Sequence, residues 1–256
     1  MSKHLKILIP HDLTNDYINL VPLINKFESY SSFSEICLFH SYEPPSMHGK
    51  NLPKTLESLV KDDKKNINKI LDTQTKIFKK LVHSKTKIVS VVKNGPHIRS
   101  IINFCKKYEP DVIMMITKKQ MGISRFINSS NALKLMNIVD VPILILPHDH
   151  VIEKELRLNF LIQFFENYEL AQNMSKTFTD IFKDIRFIHR DPSYETKSTK
   201  HIEVIGSIGN YIRESKYDEA FMLIRKKKNK LQKVLGKGFV DRLLDLNQAP
   251  VIIMNE

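Results

Sequence analysis

Apolar residues arrive along this chain in short bursts of two kinds, and their alternation predicts the architecture. Residues 5–10 form a nearly continuous apolar run, of the sort that a central strand buried on both faces requires. Tyr17, Leu20, Val21, Ile24 and Phe27 then fall on one face at helical spacing, with Thr14 as the candidate N-cap. Pro22 interrupts that stripe, so the helix is either kinked there or begins later. A second strand is predicted at 36–40. It leads into a polar, proline-containing loop at 41–53 and a long amphipathic segment whose apolar side carries Ile67, Ile70, Leu71, Phe78, Leu81 and Val82. A third strand at 86–92 ends in Asn94-Gly95-Pro96, a turn into a helix with Ile98, Ile101, Ile102 and Cys105 facing inward. The most apolar run, 112–116, reads as another central strand, and a helix over 129–138 leads to a last strand at 141–146. Strands alternating with helical stripes in this way predict a parallel sheet with crossover helices.

After a charged linker at 147–156 the pattern restarts. Strands are predicted at 158–165, 185–189, 201–205, 219–224 and 251–254, with a helix carrying Ala171, Met174, Phe178, Ile181 and Phe182 on one side. The two halves close alike, on Val141-Pro142-Ile143-Leu144-Ile145 and Ala249-Pro250-Val251-Ile252-Ile253, which makes the chain an internal repeat. The expected domains are 1–148 and 155–256. The second copy departs from the first at 190–200, which is polar and lacks an apolar stripe. A parallel crossover normally takes a dozen or more residues, usually helical. The corresponding sheet edge is therefore expected to be irregular or differently paired.

A formal charge of +12 attracts phosphate, but the lysines are scattered along the whole chain and no Trp is present. That pattern fits a solvated surface better than a nucleic-acid footprint. No stretch approaches the roughly 20 apolar residues of a membrane span, and the first burst is too short for a signal-peptide core; the expected location is the cytoplasm. Cys37 and Cys105 each sit inside an apolar pattern without a CxxC or Cys/His cluster, as buried reduced thiols do. His148-Asp149-His150 is a candidate metal cluster, with an exposed linker as the competing reading. His11 and His40 stand at the carboxyl ends of two strands, where open α/β sheets place ligands; a histidine bonded to backbone is the other reading. No P-loop, G-x-S-x-G elbow or H-E-x-x-H motif occurs, and 7 glycines leave little material for a phosphate loop. Nothing here predicts an enzyme.

Taken together, Ile7-Leu8-Ile9-Pro10-His11-Asp12, the Gly95-Pro96 turn, Asp111-Val112-Ile113-Met114-Met115 and the closing strand Val141-Pro142-Ile143-Leu144-Ile145 resemble the universal stress protein family. The second half keeps the opening and closing strands and a Tyr217-Asp218-Glu219-Ala220-Phe221-Met222 segment. The resemblance implies an α/β chain of two adenine-nucleotide alpha-hydrolase-like (Rossmann-like) units. Each would have a five-stranded parallel sheet in the order 3-2-1-4-5, the second unit degenerate and the two closing strands meeting in a pseudo-dimer contact. Homodimers are a further possibility. It also implies a non-catalytic role in the stress response, through ligand sensing or partner binding. A purely structural or interaction module without a small-molecule ligand is the alternative, and a nucleotide-handling enzyme is the third reading, which the missing catalytic motifs argue against.

Many members of that family bind ATP through the aspartate after strand one and a glycine-rich loop after strand four, because glycines admit phosphates close to the backbone and helix N-termini favour negative charge. Matched to that pattern, Asp12, Gly122, Ser129 and Ser130 are the candidate nucleotide-binding residues, while Ile116, Lys119 and Ser129 stand where glycines are expected. ATP binding is accordingly expected to be weak or lost. Asp12 could hold an adenine or ribose edge or accept backbone bonds at a strand end. Ser129 and Ser130 could donate to phosphate or cap the following helix. In the second half the matching loop is the basic run Arg225-Lys226-Lys227-Lys228-Asn229-Lys230, with Gly236 and Gly238 beyond it, a solvated helix surface or a charge-only phosphate contact.

Overall fold

The structure, a computed structural model, describes residues 4–28, 33–43, 54–82, 86–117, 129–147, 157–162, 185–189, 202–204, 219–225 and 250–255. The first apolar burst becomes β1, Leu5–Pro10, in which only Lys6 is exposed. A 3₁₀ turn at Asp16–Leu20 follows and passes into α1, Val21–Glu28. Pro22 thus falls in the first turn of α1, where its missing N–H costs no hydrogen bond, and the helix begins later rather than kinking. Thr14 does not cap it: Asn15 occupies the N-cap position of the 3₁₀ turn and makes no side-chain cap bond.

β2 spans Phe33–Tyr42 and α2 Lys54–Leu81. Along α2, Leu71, Phe78 and Val82 just beyond its end are buried, whereas Ile70 and Leu81, expected on the inner face, are exposed. β3, Lys87–Asn94, is the outer strand, and α3, His97–Tyr108, follows a turn at Gly95. Gly95 holds φ +125°, which side chains rarely adopt, and its N–H donates to the Tyr42 carbonyl at 2.9 Å. β4 is Val112–Thr117, α4 Ser129–Met136 and β5 Ile143–Pro147. The second half contributes β6, Arg157–Ile162, β7, Ile185–His189, β8, Ile202–Val204, β9, Glu219–Arg225, and β10, Val251–Asn255. The helix expected around Ala171 to Phe182 lies outside the described residues.

All ten strands join one sheet in the order β3-β2-β1-β4-β5-β10-β9-β6-β7-β8. Read inward from either edge, the order within each half is third, second, first, fourth, fifth. Within each half the pairings are parallel. Among the described residues the single antiparallel pairing joins β5 to β10, in the register Val251↔Ile145, Ile252↔Leu144 and Ile253↔Ile143. At the far edge β8 pairs in parallel with β7, Phe187↔Ile202 through His189↔Val204. Of the expected irregular or differently paired edge, the different pairing is thus corrected: a strand of only 3 residues keeps the parallel ladder.

Two apolar layers cover the faces of the first half. One gathers Ile7, Ile9, Leu20, Ile24, Phe27 and Phe78; the other gathers Leu8, Cys37, Phe39, Ile113, Leu135 and Ile145. Alternate residues of each strand supply the two layers, as the period-2 geometry of a strand requires. Cys37 and Cys105 are both free and buried, and burial pushes each thiol up to about 12. Among the described residues no helix is long and apolar enough to cross a membrane.

Candidate functional site

In the first half the strand order reverses between β1 and β4, and α1 and α4 pack in the two different apolar layers. A crevice opens at such a switch point. Here it is lined by Ile9, Pro10, His11 and Asp12 from the end of β1, Asp16 and Tyr17 from the 3₁₀ turn, and Ile116 from β4. The described walls leave about 20 Å³ for the centres of water-sized bodies, room for one or two waters rather than a nucleoside.

The turn His11 to Thr14 is tied from several directions. The His11 N–H donates to the Phe39 carbonyl at 2.7 Å, extending the ladder to β2. The Asp12 carboxylate accepts from the Thr14 N–H at 3.0 Å and from the Thr14 hydroxyl at 2.5 Å. That hydroxyl also lies 2.8 Å from Asp16 Oδ2, so it draws the two carboxylates to one spot. Leu13 sits at φ 63°, the left-handed region that a leucine seldom occupies. Its N–H donates to His11 Nδ1 at 2.7 Å, and its carbonyl accepts from Gln74 Nε2 at 3.0 Å. Gln74, buried on α2, also donates toward the Thr14 carbonyl at 3.3 Å, and the Tyr17 hydroxyl donates to the Gln74 carbonyl at 3.2 Å.

Histidines form a row across the strand ends. His11 is 4% exposed and packs against Tyr17 with ring centroids 4.6 Å apart. Because Nδ1 accepts a backbone N–H, the proton of the neutral ring is on Nε2, a buried atom with no partner among the described residues. His40, 3% exposed on β2, donates from Nδ1 to the His11 carbonyl at 2.7 Å. His97, in the first turn of α3, lies 6.4 Å from His40 between ring centroids, and its Nδ1 meets the Ser41 hydroxyl. Burial lowers His11 to about 4, with Asp12 and Asp16 opposing and His40 assisting. Burial likewise lowers His40 and takes His97 to about 4. All three imidazoles are neutral at physiological pH.

The chain superposes on a universal stress protein from Archaeoglobus fulgidus DSM 4304 with a TM-score of 0.72, over 98% of both chains, at 12% identity. The fold is that of the universal stress proteins. A functionally unknown protein from Pseudomonas aeruginosa PAO1 matches with a TM-score of 0.60 over 98% of this chain and 92% of its own, at 10% identity. Another, from Pseudomonas aeruginosa UCBPP-PA14 and provisionally named a universal stress protein, matches with a TM-score of 0.56 over 98% and 93%, at 12% identity. No family model matches the sequence, and neither does any curated protein.

In this universal-stress-protein fold, Asp12 stands two residues beyond the end of β1, and Ile116 of β4 lines the same crevice. Ile116 is 5% exposed and belongs to the apolar layer of Ile9 and Leu20. The position matched to a loop glycine is therefore the fifth residue of a strand, a buried isoleucine that lines the crevice. Ser129 and Ser130 open α4; Lys119, Gly122 and the linker histidines His148 and His150 lie outside the described residues, as do the basic run after Arg225 and Gly236 and Gly238. Among the described residues no three His, Cys, Asp or Glu side chains form a metal-binding group. His11 and His40 take the backbone-bonded reading. Sequence reasoning missed Gln74, whose signal was a polar residue in the buried row between Leu71 and Phe78. It also missed Ser41 with His97, which become neighbours only once β2 and the turn after β3 are side by side.

Proposed function

We propose that the chain is a tandem universal-stress-type protein, with units at 1–148 and 155–256, that acts in the stress response by sensing a ligand or holding a partner and not by catalysis. β5 and β10 would then be the intramolecular counterpart of a dimer contact. The ligand this reading assigns is an adenine nucleotide, held weakly at the first unit's crevice. Asp12 supplies the acceptor for a base or ribose edge, and Ser129 and Ser130 lie at a helix start where phosphate is favoured.

One observation carries the reading: Asp12 lines the crevice beyond the carboxyl end of β1, beside β4, where the sheet order reverses, while its carboxylate also accepts the Thr14 N–H and hydroxyl. The reading assigns the weakness to Ile116, a buried isoleucine lining the crevice where the family pattern has glycine. The same side chain favours a second reading, an interaction module without a small-molecule ligand. Isothermal titration with ATP and magnesium separates the two. The nucleotide reading expects a Kd of about 0.1–1 mM that disappears in Asp12→Ala. Binding of equal strength in Asp12→Ala would remove Asp12 from the site, and silence in the unsubstituted protein would leave the interaction module.

A further inference from the structure

We propose that His11 is a protonation-operated latch on the turn that presents Asp12: neutral, its Nδ1 holds the Leu13 N–H; protonated, it releases the turn. The latch concerns the turn itself, and only its consequence for nucleotide binding rests on the reading above.

The geometry makes the two states exclusive. Nδ1 accepts the Leu13 N–H at 2.7 Å, and an imidazolium has donors on both nitrogens and no acceptor. Adding a proton at Nδ1 sets two donors against each other. Leu13 is held at φ 63°, a conformation that persists only where its surroundings enforce it. Losing the Nδ1 bond removes one of the two hydrogen bonds that hold Leu13 among the described residues, the other being from Gln74 to its carbonyl.

The groups facing the ring set the direction. From its own turn Asp12, and from the 3₁₀ turn Asp16, attract the imidazolium, while Tyr17 packs against the ring face. From β2, His40 opposes a charge and is itself bonded to the His11 carbonyl; from β4 the crevice presents only Ile116. His97 on α3 lies behind His40. An imidazolium cannot stay in its buried place unsolvated, so it swings toward the two carboxylates and carries the turn with it.

His11 ionises near 4 in the closed turn and near its ordinary 6.5 once released. Between those values the released turn binds more protons, so the closed turn is destabilised as pH falls through the window and is fully favoured above it. His11→Asn separates the latch from general acid loosening, because an asparagine Oδ1 can accept the same i+2 N–H in an Asx-turn and does not titrate.

The test follows the Leu13 amide by NMR hydrogen exchange from pH 7.5 to 4.5, with the His11 ring nitrogens observed in the same samples. The latch predicts a Nε2–H tautomer at pH 7.5 and a Leu13 protection factor falling about tenfold per pH unit below about 6.5. In His11→Asn that protection stays within about threefold across the range. Protection in the unsubstituted protein that does not change with pH, or an Asn variant that loses it in step with the native chain, overturns the proposal. If His11→Asn fails to fold, the unsubstituted protein decides alone: an Nδ1–H tautomer at pH 7.5 overturns the latch. Titration with ATP at pH 7.5 judges the nucleotide reading separately, since its failure leaves the exchange result standing.

Discussion

Ile116 illustrates how one side chain sets the capacity of a site. It is buried at the end of β4 among Ile9 and Leu20, yet it also lines the crevice with Asp12. Replacing it with glycine, as the family pattern would suggest, removes a core side chain and strains the strand as well as opening space. The milder Ile116→Ala is expected to lower stability by about 2–4 kcal/mol, the usual range for truncating a buried aliphatic residue. It should also tighten ATP binding severalfold. Thermal denaturation and calorimetry on the same variant check both halves; unchanged affinity with the expected loss of stability would mean that Ile116 serves the core alone. His11 and Asp12, one residue apart, divide their work in the same economical way: the histidine holds the turn and the aspartate faces the crevice.

Among elements, the strands buried on both faces were the most legible. β1, β4 and β10 read as continuous apolar runs because both sheet faces are covered, and β7 was placed at its full length. The α1 boundary was less legible, since Pro22 fits a first turn as well as a kink and only the preceding 3₁₀ turn decides between them. The α2 stripe was read too widely, because Ile70 and Leu81 continue an apolar period that the sheet does not cover. Gln74 was overlooked because its partners, the carbonyls of Leu13 and Thr14, are distant in sequence. Of the candidate site, Asp12 was visible from the strand it ends, whereas the histidine row depends on three strand ends coming together. At the β5–β10 seam, Ile143 lies opposite Ile253. The pair Ile143→Cys with Ile253→Cys is expected to form a disulfide within one chain on mild oxidation, seen as a mobility shift of the monomer on a non-reducing gel. Cross-linked dimers without that monomer shift would contradict the pairing.

Across the whole molecule, the sheet order runs as third, second, first, fourth, fifth strand from both edges, so the fold offers two switch points. The sequence supports a ligand site at only one of them. The first has Asp12 shortly after its opening strand, whereas Gln163-Phe164-Phe165-Glu166 follows the opening strand of the second half and brings no aspartate. The proposed function therefore assigns a single weak nucleotide site to the first half of the chain. The most direct test is an ATP titration of isotopically labelled protein followed by amide NMR. Binding at the first crevice should give fast-exchange shifts concentrated at Asp12, Leu13, Thr14, Tyr17 and Ile116, with β6 and β9 unmoved. Shifts centred on the second unit, or none near Asp12 at millimolar ATP, would contradict it.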